Sequence, residues 1–301
     1  HQSDSPPGRV EVSLADTTGD GFEVDISVPG DDPLAGGIRV LYQAFRTATG
    51  VDVDVGHFRT PTEPGTQTVP LDIEADHVSL VGTAAVTDPG RLWTTDRGVG
   101  LTAGQAVAGP EDGLTQTVWG ANAWPGAGHG SGAVARNDRG LHLLYQDADE
   151  IAGRTSASIT GVGSSLRLLY DRVYNGPHKL GSTARHIVTY LAMDGGEAMR
   201  PAVGAIPLPR PDDRLQIDCG FEPAMVEVTV SDAPVGEEVP NWASAQPFGW
   251  SHGTAIQDGD RLRQYVLHHA HAPRTHDAVA KGVVPETGVA SGAGTGTAAD
   301  G

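Results

Sequence analysis

Apolar residues in this chain recur at every second position over short stretches, and turns rich in Gly and Pro cut each stretch off before it lengthens. A period of two sends successive side chains to opposite faces of an extended backbone, so each stretch reads as a strand with one buried face. Strands are predicted at Val10–Leu14, Phe22–Val28, Ile38–Phe45, Val51–Val55, Gln67–Ile73 and His77–Val81. Further strands are predicted at Leu141–Gln146, Leu166–Val173, Ile187–Met193, Leu215–Cys219, Met225–Val230 and Leu262–His268. Pro29-Gly30-Asp31-Asp32-Pro33 and Asn175-Gly176-Pro177 are among the separating turns. The one weak helical pattern, His268–Ala280, is broken by Pro273. Many short strands without helices predict an all-β chain of antiparallel sandwiches, not an α/β sheet.

The strand pattern also repeats. At an offset of 148, Val55-Gly56 matches Val203-Gly204, Pro61 matches Pro209, Glu74 matches Glu222 and Val78 matches Val226. At an offset of 123, Trp119 matches Trp242, Gly126 matches Gly249, and His129-Gly130 matches His252-Gly253. The offsets differ by 25 residues, which predicts an insertion in the first copy, read as a long Gly-, Thr- and Asp-rich surface loop over Arg91–Gly113. The expected architecture is two tandem antiparallel β-sandwich, jelly-roll-like domains from an internal duplication. Its predicted parts are an N-terminal arm (1–20), a first sandwich with the 25-residue loop (21–173), a linker (174–182), a second sandwich (183–285) and a flexible tail (286–301).

Charge narrows the function classes. The 301 residues hold 38 acids (26 Asp, 12 Glu) against 18 Arg and 2 Lys, a net charge of −18. That field repels phosphate backbones, so no nucleic-acid partner is expected. An Asp-rich, almost Lys-free surface fits a protein kept soluble in concentrated salt, where screening suppresses self-repulsion. No apolar run approaches the ~20 residues of a helical membrane span, and no membrane insertion is expected. Cys219 is alone, so it has no intramolecular disulfide partner and supplies no cysteine zinc site; its alternating surroundings predict a buried strand thiol.

Four constellations could carry chemistry. Gly249-Trp250-Ser251-His252-Gly253 fits the G-x-S-x-G pattern of a hydrolase nucleophile elbow, but that elbow needs a following helix, and Thr254-Ala255-Ile256 leads instead to a turn. The preferred reading is a glycine-flanked turn at a strand entry, with His252 and its counterpart His129 at a repeated position. His269 and His271 alternate as two ligands on one strand face could, but no cysteine or carboxylate completes a motif, so no metal is expected. The pairs Asp52/Asp54 and Asp147/Asp149 have the residue types of glycoside hydrolysis, yet in so acidic a chain they read as a solvated face. Trp119 and Trp242 read as core, whereas Trp124 and Trp250 read as exposed contacts near loop tips. No phosphate-cradling loop is present, and no cofactor is expected.

The stretch Cys219-Gly220-Phe221-Glu222-Pro223-Ala224-Met225-Val226-Glu227-Val228 resembles the Gly-Phe-x-Pro-x-x-Val strand–turn–strand signature of tail-associated structural proteins of tailed viruses. Phe248-Gly249-Trp250-Ser251-His252-Gly253 is similar to the later segment of those proteins, while the first-copy counterpart Asp72–Val78 lacks the glycine and proline. The resemblance implies a non-enzymatic virion component, and with the salt-adapted surface, a tailed virus of halophilic archaea. A tail-fibre, baseplate or surface-projection protein is expected, displayed on the particle as a homo-oligomer, trimeric by analogy with the family. Its expected partners are itself, other tail or capsid proteins, and a host-surface glycan or S-layer touched through Trp124, His129, Trp250 and His252. A capsid turret or decoration protein is the nearest alternative. A secreted haloarchaeal carbohydrate-binding or glycan-active protein is the alternative from a different class.

Overall fold

The structure is a computed structural model that describes residues 11–17, 22–27, 50–83, 99–109, 113–123, 131–147, 150–174, 186–196, 199–206, 216–231, 238–239, 248–258, 261–271 and 279–285. Among them there is no helix, and every strand pairing is antiparallel. The chain divides into two compact units, His1–Arg46 and Thr47–Gly301. In the first, β1 (Glu11–Thr17) pairs with β2 (Phe22–Ser27), with a register shift between Leu14 and Asp16.

The second unit holds three sheets. One has the order β4 (Gly65–Pro70), β11 (Ser165–Arg172), β10 (Glu150–Gly161), β9 (Leu141–Asp147). A second runs β14 (Glu238–Val239), β8 (Ser131–Arg136), β7 (Leu114–Ala123), β6 (Val99–Ala108), β5 (His77–Thr83), β12 (Ile187–Asp194), β3 (Asp52–Arg59). The third runs β13 (Met225–Ser231), β15 (Phe248–Asp258), β16 (Arg261–His271), β17 (Val279–Pro285). β12, which the sequence division assigns to the second sandwich, lies between β3 and β5, so the seven-stranded sheet runs across the expected linker.

Alternation becomes packing most plainly in β11, where Leu166, Leu168 and Tyr170 are buried and Arg167, Leu169 and Asp171 are exposed. Those side chains meet Leu141 and Leu143 of β9, Ala157 and Ile159 of β10, and Val78, Leu80 and Val188 of the seven-stranded sheet. The core of the unit is therefore the space between the first two sheets, as in a sandwich. Each fully buried leucine there contributes on the order of 2–3 kcal/mol of transfer free energy.

Several sequence expectations are corrected. The segment expected to be a surface loop contains β6, an interior strand hydrogen-bonded to both β5 and β7. Its Gly and Ala residues hide the alternation, and packing requires the glycine at 104, where a side chain would collide with the Gly140 carbonyl, as one at Gly120 of the neighbouring β7 would with that of His142. β7, β8, β10 and β17 also form where no strand was predicted. Of the weak helical pattern His268–Ala280, His268–His271 end β16 and Val279 begins β17, while 272–278 lie outside the described residues. Gln216–Cys219 forms no strand; Ile217 is 56% exposed and Cys219 half-buried, so the thiol is not in a buried strand. Trp119 is core, at 8% exposure. The expected strand Ile38–Phe45, Trp93, Trp124, His129, Asp149, Trp242 and the tail from 286 lie outside the described residues.

Candidate functional site

Gly249-Trp250-Ser251-His252-Gly253 is neither an elbow nor a turn: all five residues lie inside β15, so Trp250 is not at a loop tip. The glycines misled because they stand opposite Ala270 and Val266, in continuous pairing with β16. Ser251 is fully buried.

Register brings together residues that are apart in sequence. Trp250 stands opposite His269, which stands opposite Lys281. Phe248 stands opposite His271, and His252 stands between Thr229 and Leu267. Residues directly opposite, and residues two apart on one strand, share a face, so Trp250, His252, His269 and His271 fall on one face of the third sheet. On that face Thr229 Oγ1 lies 3.0 Å from Nδ1 of His252. Along its edge Glu227 and Thr229 are exposed, as are Met225 (37%) and Ile256 (40%). On the other face Val230, Ser251 and Gly253 are buried, although Val226 at the strand start is exposed. Among the described residues no group of three or more His, Cys, Asp or Glu side chains could hold a metal ion.

Other titratable groups are built into the core. Burial pushes His77 and His186 down to about 4. The backbone N–H of His186 donates to Thr60 Oγ1 (2.9 Å) while its carbonyl accepts from Thr60 N–H (2.8 Å), and its ring lies 5.0 Å from that of Tyr145. Asp54 Oδ2 accepts from the Tyr190 hydroxyl (3.2 Å) and from Asp72 N–H (3.0 Å), tying β3 to β12 and to the bend after β4. Burial, then the Asp54 charge, raise the Tyr190 hydroxyl above its ordinary value. Burial also raises the Asp76 carboxyl, partly offset by the N–H of Gly195 at 3.3 Å.

A cleft of about 350 Å³, lined by Arg136, Arg139, His142, Ser156, Asp171 and Arg172, lies between the end of β8 and the outer side of β9–β11. Sequence reasoning missed it. Arg136 grips Asp138 through two 2.8 Å bonds, and Arg139 bridges Asp138 (3.0 Å) and Asp171 (3.1 Å). Ser156 Oγ donates to Asp171 Oδ1 at 2.6 Å, and Arg139 donates to Ser158 Oγ at 3.1 Å. The Arg136 hydrogen bond holds the Asp138 carboxyl below its ordinary value. For Asp171, burial pushes upward, but the Ser156 hydroxyl and Arg139 outweigh it and the carboxyl titrates low.

Backbone geometry assembles this cleft. His142, Ser156 and Arg172 are cross-strand partners in one row, and the pairing jumps from Ser156↔Arg172 to Ala157↔Tyr170. Asp171 is thus the extra residue of a β-bulge, which delivers it beside Arg172 at the cleft. The available signal was two short Arg/Asp groups at strand ends, Arg136-Asn137-Asp138-Arg139 and Asp171-Arg172. Comparison of the chain with protein-family models, with curated proteins and with solved structures finds no match to any of them.

Proposed function

We propose that the chain is a non-enzymatic structural protein of a tailed virus infecting halophilic archaea, a homo-oligomeric tail-fibre, baseplate or surface-projection component that contacts the host surface. The observation that carries the contact role is the register of β15 and β16, which gathers Trp250, His252, His269 and His271 on one face beside exposed Met225 and Ile256. Aromatic and amphipathic residues on a strand framework supply contact area at low entropic cost. Repetition in an oligomer multiplies such weak contacts into avidity. The virion assignment itself rests on the resemblance of Gly220–Val226 and Phe248–Gly253 to tail-associated proteins.

The scaffold reading goes with a tandem duplication inferred from the repeat spacing, although β12 of the expected second copy pairs with β3 and β5 of the first. β5 and β13 occupy 77–83 and 225–231, the same seven-residue window at the 148 offset. β9 (141–147) falls inside β16 (261–271) at the 123 offset. The two copies have diverged in their pairing: β5 has neighbours on both sides, whereas β13 pairs with β15 alone among the described strands.

Electron microscopy of virions labelled with antibody against this chain tests the placement. Label on tail or baseplate is expected. Label on capsid vertices would move the protein to the turret alternative, and label only on the cell envelope would overturn the virion reading in favour of a secreted glycan-binding protein.

A further inference from the structure

We propose that the cleft framed by Arg136, Arg139 and Arg172 is a binding site for an acidic saccharide, gripping its carboxylate or sulfate. The inference stands apart from the attachment reading, because the cleft is built by β8–β11 and not by the β15–β16 face.

Three observations converge on an anion. In a chain of net charge −18, this cleft collects three guanidinium groups, and only two of them, those of Arg136 and Arg139, are paired with the carboxylates Asp138 and Asp171. Those carboxylates hold Arg136 and Arg139 in place, with guanidinium–carboxylate distances of 2.8 to 3.1 Å and side chains only 26% and 21% exposed. Arg172 is different: it is exposed, and among the described residues it makes no ion pair or hydrogen bond. A braced pair plus one uncommitted guanidinium is a fork preorganised for a bidentate oxyanion.

The rest of the lining points to a sugar. Ser156, whose hydroxyl donates to Asp171, and His142 are both buried in its wall, the Ser158 hydroxyl is reached through Arg139, and among the described residues no aliphatic side chain, Phe, Tyr or Trp lines the cleft. Its volume of about 350 Å³ is at the small end of ligand pockets, suited to one or two sugar rings. The bulge at Asp171 places Arg172 without opening the core, since the next pair past the shift, Ala157 and Tyr170, stays buried.

The test is titration of the full chain with glucuronate, glucose and acetate at one fixed salt concentration, followed by NMR shifts or calorimetry. Saturable glucuronate binding is expected, at least about tenfold tighter than that of glucose or acetate. Arg172→Gln should weaken it about tenfold with no change in unfolding midpoint, because Arg172 makes no ion pair or hydrogen bond among the described residues. Arg167→Gln, on an exposed position of β11 outside the cleft, should bind like the parent. No saturable glucuronate binding, or equal binding by the Arg172→Gln variant, would overturn the site. Acetate binding as tightly as glucuronate would overturn its assignment to a saccharide.

Discussion

The side-chain amide of Gln116 acts as a piece of missing strand for Ile159. Its Nε2 donates to the Ile159 carbonyl (3.2 Å), and its Oε1 accepts from the Ile159 N–H (2.8 Å). The gap exists because β9 ends its pairing with β10 at Leu141↔Ala157, and only the Gly140 N–H continues the ladder, to Ala157 O at 3.0 Å. Beyond that point the β10 backbone would face the sandwich interior unpaired. Gln116 reaches across from β7 in the opposing sheet and closes it.

Gln116→Leu therefore strands a donor and an acceptor, at a cost of about 2–3 kcal/mol. Gln116→Glu keeps an acceptor for the Ile159 N–H but sets a carboxylate oxygen against the Ile159 carbonyl, so at neutral pH it should lose at least as much. Denaturant unfolding midpoints of the three proteins would check this order, and a leucine variant as stable as the parent would contradict it.

Tyr170 gives the opposite expectation. It is 2% exposed in the core, and its hydroxyl has no hydrogen-bond partner among the described residues, so burial drives that hydroxyl well above the usual tyrosine range. Tyr170→Phe removes an unpaid desolvation cost and keeps the ring. Its stability should equal or exceed the parent's by up to about 1 kcal/mol. A clear loss would show that the hydroxyl is bonded.

Acid should weaken the fold before the carboxylates titrate. His77 and His186 sit near 4 in the folded protein, against the ordinary 6.5. Unfolded chains take up those protons first, so stability is full above about pH 6.5 and falls as pH drops toward 4, by on the order of 3 kcal/mol per histidine. Asp76, held above its ordinary value, works in the opposite sense and offsets part of the loss at the acid end. Unfolding curves between pH 7.5 and 4.5 should show this slope, and His77→Gln should roughly halve it. A stability flat across that window would contradict the burial of both rings.

What the sequence made legible tracks side-chain size. Leu166, Leu168 and Tyr170, or Val78 and Leu80, alternate with polar residues strongly enough to mark β11 and β5. β6 reads Val-Gly-Leu-Thr-Ala-Gly-Gln-Ala-Val-Ala, a composition of loops, because Gly104 packs directly against the Gly140 carbonyl and leaves no room for a larger residue. Close backbone approach and loop-like composition look alike in a linear string. The candidate face divides the same way: Trp250 and His269 were each visible as unusual residues, but only strand register places them opposite one another. The arginine cleft was invisible because β8, β10 and β11 each supply part of it, and the bulge at Asp171 follows no periodicity.

The surface composition makes its own prediction. With 26 Asp, 18 Arg and 2 Lys at net charge −18, self-repulsion should be relieved by salt. Raising potassium chloride from about 0.2 M to about 3 M should raise Tm by at least ~5 °C. A Tm that is flat or falls would remove the salt-adapted reading.

On the reading proposed above, the β framework touches another surface through the β15–β16 face. The most direct measurement is binding of the fluorescently labelled full chain to cell envelopes of a halophilic archaeon, parent against a Trp250→Ala/His269→Ala double variant, with circular dichroism confirming that both keep the same strand content. Saturable binding by the parent is expected, with at least a tenfold loss in the double variant. Equal binding by the two proteins, or no saturable binding by the parent, would contradict that reading.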